Sequence, residues 1–198
     1  LNEPTLSLNE QAKNLNEPNK GLKEQVRMLK EWQAGSEVSA TAVKTYGIER
    51  CFTQHAISDI VFKRMKGKSY KADCTIPRHD LRYLHLLHHT ADGRIMLGEM
   101  VCHKDIAGDL IDIFRKLYDA CYPIERMLLI DNYNADDITS MNHNNTSCFN
   151  FRHVAGSKKL SNHSRGKAID INPLYNPYVK RRADGTYKIS PEAGRKYA

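Results

Sequence analysis

No run in this sequence approaches the roughly 18 apolar residues that suggest a membrane-spanning helix, and no secretory signal is visible at its start, Leu1, which is not a methionine. Its five cysteines, Cys51, Cys74, Cys102, Cys121 and Cys148, form no C-x-x-C pair, which argues against a cysteine zinc site. An odd count leaves at least one thiol free in a monomer. Cys102 and Cys121 sit among apolar neighbours and read as small core side chains. Helix-turn-helix, zinc-finger and RNP patterns are missing as well, so the net charge of +7 has no nucleic-acid motif to serve. The basic residues are dispersed, with clusters only at 63–68 and 180–182. That charge suits either an anionic envelope polymer or an ordinary solvated surface. A hydrophobic fraction of 40% and a charged fraction of 27% are those of a globular protein, and 198 residues allow one domain plus a tail.

The tail is residues 1–36. Leucine recurs at Leu1, Leu8, Leu15, Leu22 and Leu29, the seven-residue period of a coiled-coil seam. Only one heptad position is reliably apolar, and Pro4 and Pro18 interrupt a continuous helix. The pattern predicts a helix over about 20–34, serving as a linker or, through residues 1–35, for self-association. Gly35 and Ser36 mark a break before the domain at 37–198.

Within that domain the spacing of Ile57, Ile60, Val61 and Met65 predicts a helix over 55–65, with Gly67 as its stop. Residues 81–102 read as a hairpin around the turn Ala91-Asp92-Gly93. His85, His88 and His89 do not share one strand face, so they read as solvent-facing strand or turn residues rather than a metal cluster. The stripe Ile106, Leu110, Ile113, Phe114, Leu117 makes 105–120 the clearest helix. Short strands are expected at 126–130 and 148–152. The polar run 139–147 between them reads as a loop held by side chain to backbone hydrogen bonds. A helix, a hairpin, a long helix and strands in succession indicate the α+β class.

Residues 161–173, SNHSRGKAIDINP, hold the strongest chemical signal. The chain turns at Gly166 and enters a strand in which Ala168 and Asp170 point one way and Ile169 and Ile171 the other. An Asp within an apolar strand needs a charged or hydrogen-bonding partner. A divalent metal shared with His163 is one such partner, since zinc accepts imidazole nitrogen and carboxylate oxygen. A hydrogen-bonded structural Asp and a surface His are the plainer alternative.

The wording Ser161-x-His163-x-x-Gly166-x-Ala168-x-Asp170, continued by Asn172-Pro173 and Asn176-Pro177-Tyr178, resembles the zinc D-alanyl-D-alanine carboxypeptidase family. The upstream run 141–152, MNHNNTSCFNFR, is similar to the segment preceding the motif in that family's bacterial branch. The resemblance spans roughly residues 50–198. It implies a small antiparallel sheet with helices packed to one side, the D-Ala-D-Ala metallopeptidase or hedgehog-like fold. It implies Zn2+ held by His163 and Asp170, Arg152 contacting an oxyanion or substrate carboxylate, and Ser161 contacting substrate or fixing the ligand loop. Peptidoglycan stem peptides would be the substrate, outside the cytoplasm. The family's third ligand is a later His beside the catalytic acid, and no histidine follows His163 here. The expectation is therefore a domain cut before that ligand. A non-catalytic cell-wall-binding module with an incomplete metal site is the alternative.

Overall fold

The computed structural model describes residues 32–154 and 156–198. The leucine repeat lies outside the described residues, as does nearly all of the helix expected over 20–34. Its last positions, 32–34, are turn and bend.

The fold is built on the hairpin of β2 (Leu81–His89) and β3 (Ile95–His103), paired from Leu81↔His103 to His89↔Ile95. Thr90 closes the turn. Its N–H donates to the Arg94 carbonyl at 2.9 Å, and Gly93 supplies the positive φ of 81°. β1 (Thr53–Ala56) adds antiparallel to β2, giving the order β1-β2-β3. Ahead of it, α1 (Ala40–Tyr46) starts at the Ser39 cap. The helix expected from residue 55 begins later. His55 and Ala56 are taken by pairing with Tyr83 and Arg82, and Ser58 then caps α2 (Asp59–Met65) by accepting from the Val61 N–H. Val61 and Met65 face inward, whereas Ile60 is 80% exposed.

α3 (Lys104–Asp119) follows β3 directly, with His103 Nδ1 accepting from the Asp105 N–H. Ala107, Leu110 and Phe114 form its buried face, and Ile113, expected in the stripe, is exposed. Alternation along the strands then divides the core. Leu84, Leu86, Met100 and Cys102 join the α3 residues in one cluster. Leu81 and Val101, on the opposite face, join Val61 and Met65 of α2 with Leu129, Phe149 and Phe151. The architecture is α+β with a small antiparallel sheet, but helices pack on both faces rather than on one side. Cys102 is buried as expected, and burial pushes its thiol up to about 12. Cys121 is instead exposed, in the left-handed turn after α3.

Among the described residues the outer edge of β3 has no partner strand, yet it is hydrogen-bonded along its length. Ile95 and Leu97 bond to residues 35–38. Glu99 N–H donates to the Met127 carbonyl, Val101 carbonyl accepts from Phe149 N–H, and His103 N–H donates to the Gly166 carbonyl. The expected strands at 126–130 and 148–152 are therefore extended segments with isolated bridges, such as Arg126↔Asn145. Their remaining polar groups bind side chains: Asn145, buried, accepts from Leu128 N–H and donates to Leu128 carbonyl. Part of the polar run is helical, in α4 (Asp137–Asn142), and Asn144, Asn145 and Thr146 are buried and bonded as a loop of this composition should be. After the motif, β4 (Tyr178–Arg181) and β5 (Tyr187–Ser190) form a second hairpin, and a 3-10 turn covers Glu192–Tyr197.

The three hairpin histidines do not face open solvent. His88 is buried, and its Nδ1 donates to the Ile124 carbonyl at 2.8 Å. His89 stacks on Tyr118, and His85 bonds the Tyr83 hydroxyl. Glu99, 1% exposed, carries a forked ion pair with Arg64 of α2. Tyr83 O–H and Leu129 N–H also donate to it. Burial works to raise the Glu99 carboxyl, but these donors outweigh it and hold the group below its ordinary value.

Candidate functional site

Ser161 starts the site. Its hydroxyl accepts from the His163 N–H at 3.3 Å and caps a 3-10 turn, Asn162–Arg165. Gly166 ends that turn in the left-handed conformation, φ 63°. The chain then runs extended, although the expected strand reduces to one antiparallel bridge, Ser147↔Asp170. Ile169 and Ile171 pack on the first core cluster, as alternation required, which leaves Asp170 on the other side.

His163 and Asp170 meet there. His163 Nε2 lies 3.4 Å from Asp170 Oδ2, with the imidazole mostly enclosed and the carboxylate more open, at 15% and 42% exposure. The other ring nitrogen, Nδ1, is 2.8 Å from the Cys148 carbonyl. A carbonyl only accepts, so Nδ1 bears a proton, and Nε2 is the nitrogen that faces Asp170. This is the arrangement in which ligating histidines are oriented by a backbone acceptor. The Cys148 thiol is buried, and desolvation raises it well above an ordinary cysteine. Its Sγ donates to the Gly166 carbonyl at 3.3 Å, so it reads as packing under the turn rather than as a nucleophile.

Arg152 is tied to the same turn by its backbone. Its N–H donates to Ser164 Oγ and its carbonyl accepts from Ser161 N–H. Its guanidinium makes an ion pair through Nε with Asp137, the first residue of α4. Asn150 steadies that carboxylate by donating Nδ2 at 2.9 Å. Asp137 was not legible as a partner, because it sits in a polar loop pattern; an acidic residue at the start of a short helix is the faint signal it offered. His143, bonded to the Thr139 carbonyl, and His153 are both exposed and add nothing to the pair. Ser161 is buried, and its hydroxyl is engaged as the cap of the turn.

His163 Nε2 and Asp170 Oδ2 together fit two positions of a zinc site by donor type and orientation. Among the described residues, no group of three His, Cys, Asp or Glu side chains is gathered to hold a metal. No described helix is long and apolar enough to cross a membrane.

Residues 155–198, which carry the whole motif, match the family model described as D-alanyl-D-alanine carboxypeptidase. The stretch with His163 and Asp170 is thus similar to a peptidase of the family that the motif resembles. Comparison with curated proteins and with solved structures gives no match.

Proposed function

We propose that the protein is a zinc-dependent peptidase of peptidoglycan stem peptides, D-alanyl-D-alanine carboxypeptidase-like, working outside the cytoplasm on the hedgehog-like variant of the α+β class. The reading covers the domain 37–198, with 1–36 as a preceding linker. The observation that carries it is the His163–Asp170 pair at 3.4 Å within the stretch that matches the family.

His163 and Asp170 would hold the metal, with a further ligand beyond this pair. Zinc there would supply a water of lowered pKa and polarise the scissile carbonyl. The Cys148 carbonyl holds Nδ1 and so orients the ring with Nε2 as the atom that would meet the metal. Asp137 holds the Nε edge of Arg152 and leaves the η nitrogens to meet a substrate carboxylate or a developing oxyanion. Ser161 and Gly166 shape the turn that presents the imidazole.

A second reading has its own observation. With no third metal-ligating side chain gathered among the described residues, a binding module that keeps the fold without hydrolysis also fits. The deciding experiment measures bound zinc and D-alanine release from stem pentapeptide, on the protein as its gene encodes it and on His163→Ala. One zinc per chain and turnover, both lost in the variant, support the enzyme. Stem-peptide binding without zinc or turnover supports the module and removes the enzyme.

A further inference from the structure

A cavity of about 810 Å³ opens at the turn end of the β2–β3 hairpin, on the side where the chain leaves the motif. Its wall includes Arg94, Tyr122, Glu125, Arg126, Asn172 and Tyr175. A smaller cavity of about 280 Å³ adjoins it and shares Arg94, Glu125 and Arg126. Arg94 is committed to Asp92 at 2.8 Å. Arg126 is half-buried, and among the described residues its guanidinium has no ion pair. Beside it, Glu125 accepts from Asn144 Nδ2 at 2.9 Å, and the Tyr175 ring lines the same wall. Two opposite charges and two tyrosine rings therefore line one recess.

This wall is built, not incidental. Asn172, buried and left-handed at φ 45°, accepts from Glu125 N–H through Oδ1 and donates Nδ2 to the Pro123 carbonyl at 2.8 Å. Its own N–H donates to Thr146 Oγ1, and Thr146 N–H donates to the Arg126 carbonyl. Asn172 stands two residues after Asp170, and Thr146 one before Ser147, the bridge partner of Asp170. One net of hydrogen bonds thus sets both the charged wall and the backbone of the proposed metal pair.

We infer that this cavity is a subsite for a peptide unit carrying a free carboxylate and a free amine, the carboxylate on Arg126 and the amine on Glu125, with Tyr122 and Tyr175 against its aliphatic part. Arg126 offers a planar donor fork suited to a carboxylate. A carboxylate alone would meet Glu125 as a like charge, and an amine alone would meet Arg126; a unit with both satisfies each. The inference rests on the stem-peptide reading, since such units recur in those peptides, but the cavity itself does not depend on the metal.

The test is calorimetric binding of the tripeptide L-Ala-γ-D-Glu-L-Lys to metal-free protein. The same measurement is made with the lysine amine acetylated, and on Arg126→Gln and Arg126→Lys. Expected are measurable binding to the wild type and a loss of about tenfold or more in Arg126→Gln, the scale of one charge-assisted hydrogen bond. Partial retention in Arg126→Lys and weaker binding of the acetylated peptide are also expected. Because Thr146 bonds the Arg126 backbone, the substitutions leave the wall in place, and an unchanged melting temperature verifies it. No binding to the wild type, or equal binding to Arg126→Gln, overturns the subsite. Binding with this Arg126 dependence, but without any zinc-dependent cleavage, keeps the subsite and removes only the peptidase reading.

Discussion

Gly166 and His103 meet backbone to backbone. A Cβ on Gly166 would fall 2.7 Å from the His103 nitrogen, the same nitrogen that donates to the Gly166 carbonyl at 2.9 Å. The turn that carries His163 is pressed onto the end of β3, and only a residue without a side chain fits. Gly166→Ala should lose about 1–3 kcal/mol from the left-handed backbone, with a further loss from the contact. Urea unfolding measures this. Zinc affinity should fall with it, because the turn must lift and carry His163 away from Asp170. A variant of wild-type stability and metal binding would show that the contact is not tight.

His88 should make stability depend on mild acid. Burial depresses its pKa from 6.5 to about 4, partly offset by its bond to the Ile124 carbonyl. The unfolded chain takes up this proton below pH 6.5 and the folded chain does not until about pH 4. The contribution is complete above pH 6.5 and is lost as pH falls through that window, about 3 kcal/mol at its limit. His88→Asn keeps a donor near the Ile124 carbonyl but does not titrate. Its unfolding free energy between pH 6.5 and 4 should be flatter than the wild type's, and parallel curves would refute the assignment.

Removing Arg64 strands a charge. Arg64→Met leaves Glu99 buried with only neutral donors, at a cost of about 3 kcal/mol. That is the low end for a broken buried pair, because the Arg64 side chain is 36% exposed. The double variant Arg64→Met/Glu99→Gln should recover part of the loss, since the uncompensated charge is gone. Because the Glu99 carboxyl is held below its ordinary 4.5, the pair stabilises at neutral pH. That stability goes as pH drops below 4.5 through the depressed folded value. Chemical denaturation of the three variants, at pH 7 and pH 4, reads both effects.

Asp137→Ala tests whether Arg152 needs its tether. In the proposed enzyme the variant should raise the KM for stem pentapeptide several-fold and lower kcat, while zinc content stays at the wild-type level. Asp137→Glu should rescue part of the loss. A fall in melting temperature with unchanged kinetics would assign the pair to the fold alone.

The motif was readable because its constraints are local. Gly166 needs positive φ, and alternation puts Ile169 and Ile171 inside and Asp170 out, whether or not a regular strand forms. The hairpin and α3 were readable for the same reason, from turn residues and a continuous stripe. What was hidden depends on contacts distant in sequence. Nothing near His55 says that β2 will draw it into a strand, and nothing near Cys148 says that its carbonyl will hold an imidazole fifteen residues later. His88 and His89 looked solvated because their partners, the Ile124 carbonyl and the Tyr118 ring, lie far along the chain. Arg152 was identifiable as a cation, but its partner Asp137 was not.

The covered edge of β3 has a consequence for synthesis. A chain leaving the ribosome exposes the hairpin once residue 103 is out, but Met127, Phe149 and Gly166 emerge later and one at a time. During that interval the edge groups of Glu99, Val101 and His103 are an open template, able to pair with the same groups on a neighbouring nascent chain. Slow translation between residues 103 and 166 should therefore lower the soluble yield by lengthening the sticky interval, and chaperone capture of the hairpin during it should restore that yield.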